Sequence, residues 1–365
     1  MNRLIIVGNG FDKAHGLETG YNDFLFDYLK KIVSDFVTTG ILGKNKVLFK
    51  SEPRFKVAML SKYSHRKISS PEELKTLIKE LHDDNYLKMQ GFLQRIYQNF
   101  SSKKWVDIEL DYFDAINAIV KNLKGNNDRI EQNVKGLNEQ FGALKEALIG
   151  YLEGVNKGFE SKEFDLSQMT KSFASEIAQN NFSQNGIIDG REIEDRMFLV
   201  FNYIPLIRDY YPPMVKPKNI VHIHGVLDDK LQLPIFGYGN DNGDTYRDLE
   251  ELRSNEVFRN IKSFGYGKND NYRKMYLFVE SKPFQVSIYG HSCGLTDGTL
   301  LKYIFEHENC KSIKINYYVD ENGKDNYTEI HYEIARHFSD KNLMRKKVMT
   351  FEKCEPMPQP KNTKK

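Results

Sequence analysis

Two histidines at the end of an apolar run have the spacing for acid–base chemistry on a bound ligand. In NIVHIHGV, residues 219–226, His222 and His224 are two apart, so we expect both on one face of a strand. A neutral imidazole is the usual general base near pH 7, and two imidazoles on one face can also bind a metal. Either histidine alone can be structural. We assign a catalytic role to His224, beside Gly225 at the strand end, and a structural role to His222.

A second apolar run, FLVFNY at residues 198–203, also ends in a polar side chain. Open α/β sheets bind ligands at the carboxyl ends of their strands, where we expect Asn202. An amide there can hold a ribose hydroxyl or orient a water molecule. The alternative is an asparagine that caps the following turn, and the residues alone favour this cap.

The loop after the first apolar run is rich in glycine. In GNGFDKAHGLETGYNDF, residues 8–24, Gly8 and Gly10 permit a tight turn and a close approach of phosphate, and the following helix start favours an anion. Gly16 comes six residues after Gly10, so the GxGxxG fingerprint is incomplete and a plain turn is the alternative. The residues of this loop assigned to a ligand are Gly8, Asn9, Gly10, Phe11, Asp12 and His15.

A similar arrangement recurs in VSIYGHSCGLTDGTLL, residues 286–301, where a strand-like run and a glycine precede a polar turn and a helix. Thr296 or Asp297 can cap that helix. The turn would lie at the sheet edge, where a ribose or adenine can rest. The residues of this segment assigned to a ligand are Gly290, His291, Ser292 and Asp297.

Hydrophobic periodicity predicts the elements that must position these segments. Residues 4–7 form a continuous apolar run, typical of a central strand in a parallel sheet. Further strands are predicted at residues 198–203, 220–224, 286–289, 312–318 and 348–351. They alternate with amphipathic helices at residues 296–307 and 327–338, which favours βαβ units. The fold class is therefore α/β and Rossmann-like, with a mostly parallel sheet flanked by helices.

Long charged stretches between the first two strands predict a large helical insertion, because their apolar residues recur at three-and-four spacing. These stretches are residues 73–100, 106–123 and 130–152. The predicted organisation is the first strand and glycine loop (1–24), the helical insertion (25–185), the remainder of the α/β domain (186–353) and a proline- and lysine-containing disordered tail (354–365).

Composition narrows the class of protein. The chain has 53 Lys and Arg against 50 Asp and Glu, a net charge of +3, which argues against a nucleic-acid partner. The cysteines Cys293, Cys310 and Cys354 form no CxxC pair, so neither a metal site nor a disulfide framework is expected. No apolar stretch approaches the roughly 18 residues of a membrane span. We therefore expect a cytoplasmic protein with no membrane partner.

In this order, GNGFDKAHGLETGYNDF, WVDIE, FNYI, HIHG and GHSCGLTD resemble the motifs of the AbiH family, proteins of bacterial abortive infection against bacteriophage. The resemblance runs from residue 1 to about 351. Ile204 stands where the family often has Thr, and Cys293 where Leu is usual, and neither departure removes a proposed chemical group. The resemblance implies an antiphage function, with a phage-derived trigger and a homo-oligomer as candidate partnerships.

The same order of motifs is similar to the sirtuin-like NAD-binding fold, with its glycine loop, its asparagine after a middle strand, its His-Gly pair and its Gly-Ser. That similarity implies that Asn202 and His224 match the catalytic Asn and His of NAD-consuming enzymes. It also implies ligand contacts at Gly8, Gly10 and Ser292. The zinc ribbon of sirtuins has no counterpart in this sequence, so deacylation is not implied and water is the expected acceptor.

Three functions are open at this point, and all require the four polar segments to meet at one crevice. The leading hypothesis is hydrolysis of NAD at the nicotinamide glycosidic bond, with a proton accepted by His224 and a hydroxyl or water held by Asn202. The second is a non-catalytic sensor that binds NAD or a related nucleotide. The third is a metal-dependent nuclease, which the balanced charge disfavours. Its ligands would be Asp12, His222, His224 and Asp297.

Overall fold

The chain folds into two units in a computed structural model that describes residues 1–101, 107–159, 165–177, 193–211, 219–239 and 244–360. The sheet unit consists of Met1–Glu18, Val155–Asn242 and Ile261–Lys365. The helical unit consists of Thr19–Gly154 and Gly243–Asn260.

The sheet unit is built on a six-stranded parallel sheet of order β5-β4-β1-β6-β7-β8, and β2 pairs with β3 in the helical unit. The strands are β1 (Asn2–Val7), β2 (Phe49–Ser51), β3 (Leu87–Met89), β4 (Arg196–Val200), β5 (Ile220–His222), β6 (Phe284–Tyr289), β7 (Cys310–Tyr317) and β8 (Glu355–Pro356). Val7 pairs with Val200 on one side and Tyr289 on the other, so three central strands end level. The strand order reverses beside β1, and open sheets bind ligands at such a reversal.

The helices of the described residues follow in chain order. They are α1 (Asn9–Ala14), α2 (Tyr21–Thr39), α3 (Lys56–Tyr63), α4 (Pro71–Asp83), α5 (Gly91–Ser101), α6 (Ile108–Asn122), α7 (Asn127–Gly158), α8 (Ser167–Ala174), α9 (Leu206–Tyr210), α10 (Asp244–Glu251), α11 (Asn255–Phe258), α12 (Lys262–Tyr266), α13 (Asn271–Ser281), α14 (Gly298–Glu306), α15 (Tyr327–His337) and α16 (Lys341–Lys347). Within the described part of the chain, none of them combines the length and the apolar character needed to cross a membrane.

Both faces of the parallel sheet are covered, which explains the continuous apolar run of β1. Leu4 and Ile6 face a core that includes residues of α13, α14, α15 and α16. Ile5 and Val7 face a second core with residues of α1, α8 and α9. A strand buried on both faces needs apolar side chains at every position. The predicted α/β class, with a parallel sheet flanked by helices, is confirmed.

The helical unit has its own packed interior. Tyr112 of α6 stacks on Phe141 of α7, with ring centroids 4.1 Å apart. Nδ2 of Asn138 in α7 donates to the backbone oxygen of Glu256 at 3.0 Å, which fixes the later segment Gly243–Asn260 to α7. The described part of the predicted insertion is therefore a helical assembly, as its periodicity indicates.

The last predicted strand and the predicted tail differ from the structure. Residues 348–351 form no strand: Val348 makes an isolated bridge to Ile313, and a 3-10 turn follows at Phe351–Lys353. The sixth strand is β8, which pairs with β7 inside the predicted tail 354–365. The prediction of disorder is thus wrong for residues 354–360, while residues 361–365 lie outside the described residues. The proline at the end of β8 is tolerated because the strand is at the sheet edge.

The unit boundaries also differ from the predicted insertion 25–185. The first segment of the helical unit ends at Gly154, and the unit also contains Gly243–Asn260. The predicted boundary at 185 lies outside the described residues. In α8, Phe173 packs with Phe198 of the sheet, with ring centroids 4.9 Å apart. Periodicity identifies a helix but not the core against which it packs, so the sequence pattern assigns α8 to the insertion.

Candidate functional site

The carboxyl ends of four parallel strands bring the predicted polar segments to one edge of the sheet unit. Gly8 follows β1, Asn202 lies two residues after β4, His224 two residues after β5, and His291 two residues after β6. We call this group and its immediate partners the site edge. Its buried side chains form two hydrogen-bonded networks.

The first of these, the Asn202 network, contains Asp12, Asn202 and His222. Nδ2 of Asn202 donates to the backbone oxygen of Gly8 at 3.1 Å. Nδ1 of His222 donates to the backbone oxygen of Asn202 at 3.3 Å. Burial raises the pKa of Asp12 to about 7, and a hydrogen bond from the Asn202 side chain only partly opposes it. A carboxyl group that titrates near neutral pH can act as a general acid or base.

The raised pKa of Asp12 predicts how Asp12→Asn changes the pH dependence of stability. An acid whose pKa rises from 3.8 to about 7 on folding stabilises the folded state most below pH 3.8, and this contribution is lost as pH rises towards 7. The asparagine cannot titrate. We therefore expect the free energy of unfolding of Asp12→Asn, relative to the parent, to increase between pH 4 and pH 7.5 by up to roughly 4 kcal/mol.

Urea titrations of both proteins across this pH range measure that difference. Asp270→Asn, at an exposed position before α13, is the matched control and should track the parent at every pH. A relative stability of Asp12→Asn that stays flat with pH would mean that Asp12 has an ordinary pKa in the folded protein.

The second network surrounds Asp297. Its Oδ1 lies 2.8 Å from Nζ of Lys262 and 3.1 Å from Nε2 of His224, and its Oδ2 lies 3.5 Å from Nε2 of His291. Nδ1 of His291 accepts from the backbone amide of Cys293 at 2.9 Å, so the ring hydrogen of His291 is on Nε2 and faces the carboxylate. Asp297 therefore has three donors around one buried carboxylate.

These donors decide the ionisation of Asp297 and the tautomer of His224. Burial alone would raise the pKa of Asp297, but Lys262 and His224 outweigh burial and hold it well below the usual range. Because the carboxylate only accepts, His224 donates from Nε2 and keeps its lone pair on Nδ1. Burial and the charge of Lys262 lower the pKa of His224 to about 4, so the imidazole is neutral near pH 7. An oriented, neutral imidazole is suited to accept a proton.

His222 and His224 lie on different sides of the sheet, so their predicted common face is wrong. His222 pairs with Val200 and shares its side, whereas His224 packs edge-on against Phe201 of the other core, with centroids 5.0 Å apart. The alternation of a strand cannot extend to His224 because β5 ends at His222. A turn follows, in which Gly225 has a φ of 80° and its amide donates to the oxygen of His222.

The glycines of the site edge bring two backbone segments together. A Cβ on Gly10 would lie 2.8 Å from the backbone oxygen of Gly290, and a Cβ on Gly8 would lie 2.5 Å from Cα of His291. The amides of Gly8, Gly10 and Phe11 donate to Tyr289, Gly290 and Gly8 respectively. The close approach that the glycines permit is therefore to protein backbone, and their contact with a ligand stays a prediction.

Gly290 should be the least replaceable of these glycines. Its φ is 67°, and an added Cβ would lie 2.1 Å from the amide nitrogen of Phe11. We expect Gly290→Ala to lower the free energy of unfolding by about 3 kcal/mol or more, since backbone atoms must move. Gly136→Ala is the control, because it lies inside α7 with no atom within 4 Å and should stabilise by about 0.5–1 kcal/mol. Similar urea midpoints for both variants would refute this packing role.

Comparison of the sequence with models of known protein families identifies the family of the chain. The family model described as Bacteriophage abortive infection AbiH matches residues 4–319. The chain belongs to the AbiH family. No curated protein and no solved structure matches it. The similarity to the sirtuin-like fold, inferred from the order of the motifs, therefore stays a prediction.

Other residues of the AbiH motifs fall into structural and exposed positions. His15 is fully buried, and both ring nitrogens have partners: Nδ1 the oxygen of Phe11 at 2.7 Å, and Nε2 the hydroxyl of Tyr211 at 2.6 Å. Phe11 is buried in the core, whereas Asn9 and Ser292 are exposed at the site edge. The ligand contacts predicted for Asn9 and Ser292 are therefore sterically accessible, while those of His15 and Phe11 would require them to leave the core.

Asp297 of this AbiH protein occupies the N-cap position of α14, but its side chain makes no capping hydrogen bond. Thr296 lies in the 3-10 turn Leu295–Asp297, one residue before this N-cap position. The predicted capping role is wrong because three buried donors compete for the carboxylate. Lys262, which is 1% exposed, is the residue that the sequence reasoning missed. It lies in a polar stretch without a motif, and only the fold brings α12 to the site edge.

The site edge of the AbiH chain is closed over its central polar side chains, although Asn9 and Ser292 beside them are exposed. The side chains proposed for chemistry, Asp12, Asn202, His224 and Asp297, are all buried. A surface depression of about 390 Å³ lies elsewhere, on α14, lined by residues such as Lys302 and Tyr303. Because these four side chains are buried, we expect that a ligand of nucleotide size could contact all of them only after the surrounding segments move.

Proposed function

We propose that this AbiH protein acts in defence against bacteriophage by binding NAD at the site edge and hydrolysing its nicotinamide glycosidic bond. The observation that carries the proposal is the His224–Asp297 pair at 3.1 Å, placed at the carboxyl edge of a parallel sheet beside its strand-order reversal. Ligands of open α/β sheets bind at that location.

The residues of the site edge can account for each bond change and proton transfer of this reaction. The bond between the ribose carbon and the nicotinamide nitrogen breaks, and its electron pair leaves with nicotinamide. Water forms a new bond to the ribose carbon and loses a proton, which Nδ1 of His224 would accept while Asp297 holds Nε2. Asn202, fixed on Gly8, would position a ribose hydroxyl or the water. Admission of water and substrate would also reduce the desolvation that lowers the pKa of His224.

NAD hydrolysis is tested by incubating the full chain with NAD, with and without EDTA, and measuring nicotinamide by chromatography. We expect release of nicotinamide that EDTA does not abolish. RNA and DNA added to the same reactions should remain intact. Because a defence enzyme can require a phage-derived trigger, the assay is repeated with lysate of phage-infected cells and with the matched uninfected lysate. Absence of nicotinamide release in every condition would refute hydrolysis.

A non-catalytic NAD sensor is the second candidate, and the closed site edge favours it. Asn202 and His224 are only 6% and 4% exposed, which leaves little of either side chain to contact a substrate. A sensor would bind NAD and change conformation without turnover. Saturable NAD binding without nicotinamide release, with infected lysate present, would favour the sensor. For either function we propose a cytoplasmic location, where NAD and phage components occur together.

A further inference from the structure

Three buried polar atoms of the Asn202 network have no hydrogen-bond partner. They are Oδ1 of Asp12, Oδ1 of Asn202 and Nε2 of His222. The residues that carry them are only 2%, 6% and 4% exposed, respectively. Leaving one buried polar atom unpaired costs about 1–3 kcal/mol, so three in one network indicate a missing partner.

Two of the three atoms are fixed as hydrogen-bond acceptors, and the third accepts when Asp12 is ionised. The Asn202 amide is oriented by its donation to the oxygen of Gly8, which leaves Oδ1 as its free end. Nδ1 of His222 faces a carbonyl and must carry the ring hydrogen, so Nε2 of the neutral ring holds a lone pair. Oδ1 of Asp12 accepts whenever the carboxyl group is ionised. The missing partner must therefore offer donors.

Three backbone amides of the neighbouring glycine loop are already used as donors. The amides of Gly8, Gly10 and Phe11 all donate to backbone oxygens, and α1 contains only six residues. A phosphate group has only acceptor oxygens and negative charge, and it would meet three further acceptors here. A sugar hydroxyl has one hydrogen to donate, so two neighbouring hydroxyls can donate to two of these acceptors.

We propose that Asp12, Asn202 and His222 bind the vicinal hydroxyls of a ribose, so that the site edge recognises the sugar of the nucleotide and not its phosphates. This inference rests on the proposed NAD site and specifies which part of the ligand lies in the Asn202 network. It also gives His222 a role in specificity and reverses the sequence interpretation of the glycine loop as a phosphate cradle.

The test is calorimetric titration of the full chain in EDTA with ADP-ribose and with its analogue lacking the 2-hydroxyl of the terminal ribose. Neither compound carries nicotinamide, so neither is a substrate of the proposed reaction. We expect ADP-ribose to bind at least tenfold more tightly, equivalent to about 1.4 kcal/mol. Asp12→Ala and His222→Phe should each reduce this preference to less than threefold, while the exposed control Asp270→Ala keeps it.

Each other result overturns the inference. Equal affinities for the parent protein would mean that the three acceptors hold only water. Binding that disappears in EDTA and returns with Mg²⁺, Mn²⁺ or Zn²⁺ would mean that they hold a cation. Failure of both compounds to bind would exclude a ribose site. If a variant does not fold, the relative affinity of the parent chain for the two compounds still tests the inference.

The outcome is separable from that of the proposed function. A tenfold preference for ADP-ribose without nicotinamide release would support ribose recognition and refute hydrolysis. Nicotinamide release with equal affinity for the two compounds would support hydrolysis and refute ribose recognition by the Asn202 network.

Discussion

Replacing His224 by alanine should reduce nicotinamide release by about 100- to 10,000-fold, the usual contribution of a general base. The reason is that Nδ1 of His224 carries the lone pair that accepts the proton. The carboxylate of Asp297, 3.1 Å from Nε2, orients the imidazole ring. Asn202→Ala should also lower the rate, since its amide is fixed on Gly8 beside the same edge. The measurement is the initial rate of nicotinamide release by each purified variant at pH 7.5.

The matched control for this loss is His331→Ala, on α15 outside the two networks. It should retain the rate of the parent. Thermal unfolding of every variant separates loss of the base from loss of the fold. Retention of more than half of the rate in a folded His224→Ala protein would remove His224 from the chemistry.

Replacing Lys262 by methionine should lower the free energy of unfolding by about 3–5 kcal/mol at pH 7, because it leaves the buried carboxylate of Asp297 without its cation. Nζ of Lys262 lies 2.8 Å from Oδ1 of Asp297, and Lys262 is 1% exposed. Urea unfolding measures the loss. Lys268→Met is the control, since this exposed lysine lies six residues on and should change stability by less than about 0.5 kcal/mol.

The stability that Lys262→Met loses should depend on pH in a defined direction. In the parent protein, Lys262 and His224 outweigh burial and keep the pKa of Asp297 below 3.8, so its stabilising contribution is present above pH 3.8 and lost below. Without Lys262, burial dominates and raises that pKa. The deficit of the variant should therefore be largest at neutral pH, shrink as pH falls through the raised pKa of Asp297 in the variant, and shrink further below pH 3.8, where the parent loses its own contribution.

A double variant provides an internal test of the same ion pair. Lys262→Met with Asp297→Leu removes both charges, so it should recover at least half of the lost stability even though the proposed base loses its orienting carboxylate. A deficit that is the same at pH 4 and pH 7, and is unchanged in the double variant, would show that the loss comes from packing and not from an unpaired charge.

Family membership and the closed site edge together suggest how such a protein would be regulated. An enzyme that consumes NAD throughout the cell must be inactive before infection. Burial of Asn202 and His224 is consistent with an inactive resting form. The phage-derived trigger remains a proposal that the assay with infected lysate addresses.

Local pattern in the sequence was sufficient for the fold class and for most of the sheet. The run at β1 predicts a central parallel strand because only a strand covered on both faces needs apolar residues at every position. The polar residues after β1, β4, β5 and β6 were placed correctly at one edge, because parallel strands in register end level. These features depend on neighbours along the chain, so the sequence carries them directly.

Only the tertiary structure decided which side chains of the site edge form hydrogen bonds and ion pairs with one another. The end of β5 at His222 sends His222 and His224 to different networks, and no local pattern marks that end. Lys262 reaches Asp297 from 35 residues away along the chain. Gly10 and Gly290 are required by each other's backbone, across 280 positions of the sequence. Such partners are set by packing between distant segments, which composition and spacing along the chain do not encode.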